Sequence, residues 1–166
     1  MVAADVSAKL ASGEVEFLDA GSGVGGSIEH VVKRFGRGRG LGLELNPDDV
    51  ASAVAGGYQV VEADVTKVAI PERSVAYASA MDFLEHLADE RTALDVLERL
   101  VRGARDFVFI RHPSFEDIAY LADFGLKITW TDWDEHQNML RIADYRRWFA
   151  NHGLNDYVIR PRGAIR

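Results

Sequence analysis

The hydrophobic pattern changes period several times along the chain, and the changes mark out its elements. Val15, Phe17 and Leu18 open a short apolar run that ends on Asp19 and predicts a first strand over 15–19. A glycine-dense turn follows, Gly21-Ser22-Gly23-Val24-Gly25-Gly26, and the period then becomes helical. Ile28, Val31, Val32 and Phe35 fall at i, i+3, i+4 and i+7, and Gly36 stops the helix. Residues 41–45 form a second strand closed by Asn46-Pro47-Asp48-Asp49, which reads as an N-cap, a proline at the first helical position and two acids in the first turn. That helix ends at Gly56-Gly57. Third and fourth strands are expected over 59–63 and 74–80. A helix over 89–102 carries Leu94, Leu97, Leu100 and Val101 on one side and stops at Gly103. Residues 106–110, continuously apolar from Phe107 onward, predict a fifth strand in a buried parallel position.

Strands alternating with helices predict an α/β fold, a doubly wound and mostly parallel sheet flanked by helices with right-handed crossovers. Ligands in such sheets bind beyond the carboxyl ends of the strands, so the residues just after each strand carry the chemistry. The glycine turn lies at the first of these ends. Three glycines at alternate positions, Gly21, Gly23 and Gly25, suggest that a ligand approaches the backbone too closely for a Cβ. The helix behind them offers unpaired N–H groups. Gly21, Gly23 and Gly26 also satisfy the G-x-G-x-x-G spacing of dinucleotide sites. Asp19 separates the two readings, because a carboxylate two residues ahead of the first glycine repels a diphosphate but attracts an ammonium or sulfonium group.

Asp19-x-Gly21-x-Gly23-x-Gly25 resembles the first motif of class I S-adenosylmethionine (SAM)-dependent methyltransferases. Three further features stand at the matching strand ends. Glu44 follows the second strand, Asp64 follows the third, and Met81-Asp82-Phe83-Leu84-Glu85-His86-Leu87 follows the fourth. The last resembles the D-x-L-E-H-L segment of many small-molecule methyltransferases, with Phe83 in the middle place. The resemblance covers residues 15–113 and, loosely, 140–160. It implies a Rossmann-like fold that uses SAM and releases S-adenosylhomocysteine. Gly21, Gly23 and Gly25 would lie against the methionine portion, with Asp19 facing its ammonium directly or through water. Glu44 would hold the ribose diol, Asp64 the adenine amine and the Val65 backbone a ring nitrogen. Met81 and Asp82 would border the methionine tail and the departing sulfur. A dinucleotide oxidoreductase, or a non-catalytic SAM-binding or scaffold module of the same fold, are the alternatives.

The C-terminal part departs from that pattern. A helix is expected over 144–152 through Tyr145, Trp148 and Phe149, and a strand over 157–160. Either the family's seventh strand is then absent, or 126–131 is the sixth and 157–160 the seventh. A sheet edge left bare would favour a homodimer. No helical lid is expected ahead of the first strand, so residues 111–140 are expected to cap the active-site cleft of a single domain over 1–166.

Composition narrows the acceptor. The chain has 166 residues, is 48% hydrophobic and 27% charged, and contains no cysteine, which excludes disulfides, thiolate metal sites and a Cys nucleophile. No N-terminal signal pattern or membrane-length apolar run is present, so a cytoplasmic enzyme is expected. A net charge of −7 opposes general nucleic-acid binding. No Asn/Asp-Pro-Pro-aromatic turn follows the fourth strand, which speaks against amino-adenine and amino-cytosine methylation. Residues 111–140 hold Phe115, Tyr120, Phe124, Trp130 and Trp133 among six acids, which suits a small uncharged or cationic acceptor. His86 and His112, just after the fourth and fifth strands, are the acid–base candidates. Asp132, Asp134 and His136 alternate as metal ligands would, but no fourth partner stands at ligand spacing, and no metal is expected.

Overall fold

The computed structural model describes residues 3–36 and 38–161. The chain forms two compact units, Met1–Leu84 with Asp95–His112, and Glu85–Leu94 with Pro113–Arg166. The first unit is built on five parallel strands, β1 (Phe17–Ala20), β2 (Gly40–Glu44), β3 (Val60–Glu62), β4 (Val75–Met81) and β5 (Ala104–Arg111), in the order β3-β2-β1-β4-β5. Helices α1 (Ala3–Ala11), α2 (Gly26–Phe35), α3 (Pro47–Ala55) and α4 (Glu90–Gly103) connect or precede them, and α4 belongs to both units. This is the expected class I methyltransferase architecture, and element boundaries fall within two residues of the sequence reading for most elements.

Alternation along the strands divides the side chains between the sheet's two faces. Phe17, Tyr77 and Met81 join Ile28 and Val31 of α2 and Ala53 of α3 in one buried cluster. The Phe17 and Tyr77 rings stack at 4.9 Å, and Phe107 of β5 stacks on Tyr77 at 4.9 Å. Ala20 pairs in register with Leu43 on one side and Ala80 on the other, so β1, β2 and β4 end level with one another. The chain leaves β1 toward β2 and later resumes beyond β1 with β4, which puts the topological switch point between β1 and β4.

One element was not foreseen and one expectation is corrected. A helix, α1, precedes β1, anchored by fully buried Val6 and Leu10 one helical turn apart. β5 is parallel but not buried: among the described residues it has a neighbour on one side only, and Phe107 is 40% exposed.

The second unit carries α5 (Ile118–Asp123), a 3-10 turn over Thr129–Asp132 and α6 (Ile142–Asn151). Buried Phe115, Leu140 and Trp148 supply its apolar interior. Neither further strand forms among the described residues. In 126–131 the Thr131 N–H and hydroxyl both donate to the Ile128 carbonyl, at 3.1 and 2.8 Å, and wind the run into a turn. In 157–160 the Tyr157 ring packs on Phe149 of α6 at 4.5 Å, while Val158 is 73% exposed. The sheet of the described residues therefore stops at β5, short of the six or seven strands expected. Among them no helix is long and apolar enough to cross a membrane.

Candidate functional site

The strand order sets the chemistry-bearing residues in a row along the carboxyl edge of the sheet. Asp64 follows β3, Glu44 ends β2, the glycine turn follows β1, Asp82 follows β4, and Arg111 ends β5. Residues as far apart in sequence as Gly21 and Asp82 thus become neighbours in strand order.

The glycine turn is held from both sides. The Gly21 and Ser22 N–H groups donate to the Leu43 carbonyl of β2 at 2.9 and 3.2 Å, and the Gly25 N–H donates to Ser22 at 2.9 Å. Gly25 is the N-cap of α2 and provides no side chain to cap its N–H groups. The glycines themselves have different reasons. A Cβ at Gly21 would run into the Phe83 ring, and one at Gly25 into the Tyr58 ring. Gly23, at φ +51°, has nothing within 4 Å of where its Cβ would stand. The reading that close ligand approach forces all three glycines is therefore corrected: packing of Phe83 and Tyr58 accounts for two, and Gly23 alone opens onto free space.

Asp19 is fully buried on the α2 side of the sheet. Its carboxylate accepts from Ser79 Oγ of β4 at 2.5 Å and from Ser27 Oγ at the start of α2. Burial pushes its pKa up to about 6; the two serine hydroxyls pull it down and the charge of Glu44 pushes it up. Asp19 thus braces β1 against β4 and α2 from beneath the turn. Ser27 and Ser79 were not singled out from the sequence, although a serine alternating with Tyr77 and Met81 on an apolar face was a readable signal.

Glu44 ties the turn to β2. One carboxylate oxygen accepts from the Gly23 N–H at 2.9 Å, and the other from Leu45 and Asn46 N–H groups at 2.7 and 2.9 Å. Three N–H donors converge on one carboxylate, fixing it at the mouth of the turn. Asp64 accepts from the Thr66 N–H and hydroxyl at 2.9 and 2.6 Å and pairs with Lys67 at 2.8 Å. Burial alone would raise its pKa, but Lys67 and Thr66 outweigh that and lower it. Val65 beside it is buried, and its carbonyl accepts from Arg99 at 3.2 Å.

Met81 is 5% exposed and belongs to the core cluster. Asp82 adopts φ +48°, which aspartate tolerates, and its exposed carboxylate is ion-paired with Arg111, whose Nε stands at 2.7 Å. Arg111 was read only as part of the cap, so its service to Asp82 is a finding of the structure.

Of the acid–base candidates, His112 closes the first unit and His86 belongs to the second. The Asp132-x-Asp134-x-His136 alternation does not converge. Asp132 is ion-paired with Lys127, while the His136 ring lies 5.0 Å from that of His86. The second unit also has a cleft of about 660 Å³, lined among others by Phe115, Glu116, Tyr120, Met139 and Arg141. That volume is in the range of small-molecule sites.

The profile of a family described as "Methyltransferase domain" matches residues 18–109. No curated protein sequence matches the chain. Among solved structures, a SAM-dependent methyltransferase from Archaeoglobus fulgidus is 19% identical with a TM-score of 0.66, over 92% of this chain and 69% of that one. The Haloferax volcanii complex of the Trm112 methyltransferase activator with a methyltransferase is 22% identical with a TM-score of 0.64, over 89% and 67%. The plantazolicin methyltransferase BpumL, solved with S-adenosylhomocysteine, is 12% identical with a TM-score of 0.63, over 90% and 61%. The chain thus spans about two thirds of the length of these structures.

Proposed function

The chain belongs to the methyltransferase-domain family of SAM-dependent enzymes, and from that premise we propose that it methylates a small-molecule acceptor by in-line displacement. One observation carries the reading: Glu44 is fixed at the end of β2 and bonded to the N–H of Gly23, which, unlike Gly21 and Gly25, opens onto free space. A carboxylate held there suits a ribose diol, and an open glycine beside an uncapped helix start suits the methionine portion. Asp64 and the Val65 backbone would take the adenine, and Met81 and Asp82 would border the sulfur.

When bound, SAM supplies a methyl group already activated on a cationic sulfur. The work left to the chain is alignment of the acceptor with the C–S bond. An acceptor that carries a proton on its reacting atom gives it to His86 or His112. The aromatic and acidic segment 111–140 supports an uncharged or cationic small acceptor. The acidic total charge disfavours a nucleic acid.

Calorimetry with SAM, NAD and ATP tests this. SAM is expected to bind in the micromolar range and the other two not at all. Glu44→Ala should weaken SAM by about 1.5–3 kcal/mol through loss of charge-assisted bonds. Binding of NAD without SAM would overturn the reading.

A further inference from the structure

We propose that Glu85, His86 and His136 of the second unit bind a divalent transition metal ion of the zinc type. The three residues each offer a ligand atom, and these atoms lie within 4.8 Å of one another. Two imidazoles and a carboxylate form one of the ligand sets that hold zinc while leaving a fourth position for water or substrate.

The groups around the histidines orient them as a metal requires. His86 Nδ1 lies 3.1 Å from the Glu135 carbonyl, and His136 Nδ1 lies 2.9 Å from the Trp130 carbonyl. A carbonyl can only accept, so each Nδ1 carries the hydrogen. With Nδ1 so engaged, Nε2 is the nitrogen left to bind a metal through its lone pair. A backbone carbonyl on the far nitrogen is the usual outer partner of a metal-bound histidine, fixing tautomer and ring angle together. Phe115 and Trp133 pack against the His136 ring at 5.8 and 5.1 Å and restrict it further.

The backbone holds the two ends of this cluster together. The Glu85 carbonyl accepts from the Gln137 and Asn138 N–H groups at 2.9 and 3.3 Å, and Asn138 Nδ2 donates to the Leu87 carbonyl at 2.9 Å. His136 is thereby clipped beside His86 from fifty positions away. Glu85 is 1% exposed, so its carboxylate has little water to compete with a cation. Tetrahedral zinc holds its ligands about 3.3 Å apart, given bonds of about 2.0–2.1 Å. Binding would therefore draw the three ligand atoms closer than the 4.8 Å that now spans them. Imidazole nitrogen favours zinc, cobalt or nickel over magnesium or calcium. A metal on His86 Nε2 would occupy that nitrogen and leave His112 as the acceptor's base.

The test is metal binding by the full chain, measured without SAM so that it stands or falls apart from the cofactor assignment. Zinc is titrated against a chromophoric chelator, and cobalt is followed by its visible absorption. The expected result is one zinc per chain and the intense visible bands of four-coordinate cobalt, with no competition from magnesium. His86→Ala, at an exposed position, and His136→Asn should each weaken zinc at least tenfold, whereas His30→Ala and His152→Ala should not. Circular dichroism establishes that each variant is folded. Absence of stoichiometric zinc binding in the wild-type chain overturns the proposal. So does wild-type affinity in folded His86→Ala.

Discussion

The glycine turn after β1 and the 135–138 segment each bring a functional group to its place, but by different means. The turn is a continuous stretch whose φ angles, helix start and strand end are written in neighbouring residues, and the sheet then locks it through Leu43. The 135–138 segment has no regular element of its own. It is placed by hydrogen bonds to residues 85–87 and by rings around His136. The first kind of site is legible from spacing along the chain. The second exists only once distant backbone groups have paired.

The largest expected effect breaks the first kind. Gly21→Ala should cost about 2–5 kcal/mol, combining about 1–2 for a Cβ at positive φ with about 1–3 for overlap with the Phe83 ring. Gly23→Ala should cost only the backbone part, about 1–2 kcal/mol, since its Cβ meets nothing. Denaturant midpoints measure both, and equal costs would mean that Phe83 does not impose Gly21. In a Phe83→Ala background the cost of Gly21→Ala should fall toward that of Gly23→Ala.

Next in size is the pH dependence set by Asp19. Its pKa is near the ordinary 3.8 in the unfolded chain and about 6 in the folded one. Between those values the native state binds more protons, so this contribution to stability falls as pH rises through the window. The loss reaches up to about 3 kcal/mol above pH 6. Asp19→Asn removes the titration, and its stability relative to wild type should improve from pH 4 to pH 7. Parallel stability–pH curves for the two proteins would exclude a raised Asp19.

The smallest effect probes the second kind of site. Asn138→Ala removes the bond to the Leu87 carbonyl and should cost about 1–2 kcal/mol. Hydrogen exchange should quicken at the amides of Gln137 and Asn138 and stay unchanged in β1. Equal quickening in β1 would mean that the clip and the sheet open as one.

Much of the first unit was legible because its signals are local. Ile28, Val31 and Phe35 repeat at helical spacing, Asn46-Pro47 starts a helix, and Asp19 to Gly25 spells a strand-to-helix turn. The errors came where neighbours, not spacing, decide. The apolar run of β5 reads as buried, but burial depends on whether another strand pairs beyond it. Residues 126–131 and 157–160 have strand-like composition, yet a local hydrogen bond at Ile128 and the ring of Phe149 take them elsewhere.

The sequence by itself determined the α/β class, the order of the motifs along the chain and the residues at the carboxyl ends of the strands, because each rests on periodicity or on adjacent residues. Only the tertiary structure decided that Asp19 is braced by Ser27 and Ser79, that Asp82 is paired with Arg111, and that His136 meets Glu85 and His86. Those contacts join side chains from different elements, and their partners are chosen by strand pairing and loop closure, which no spacing along the chain encodes.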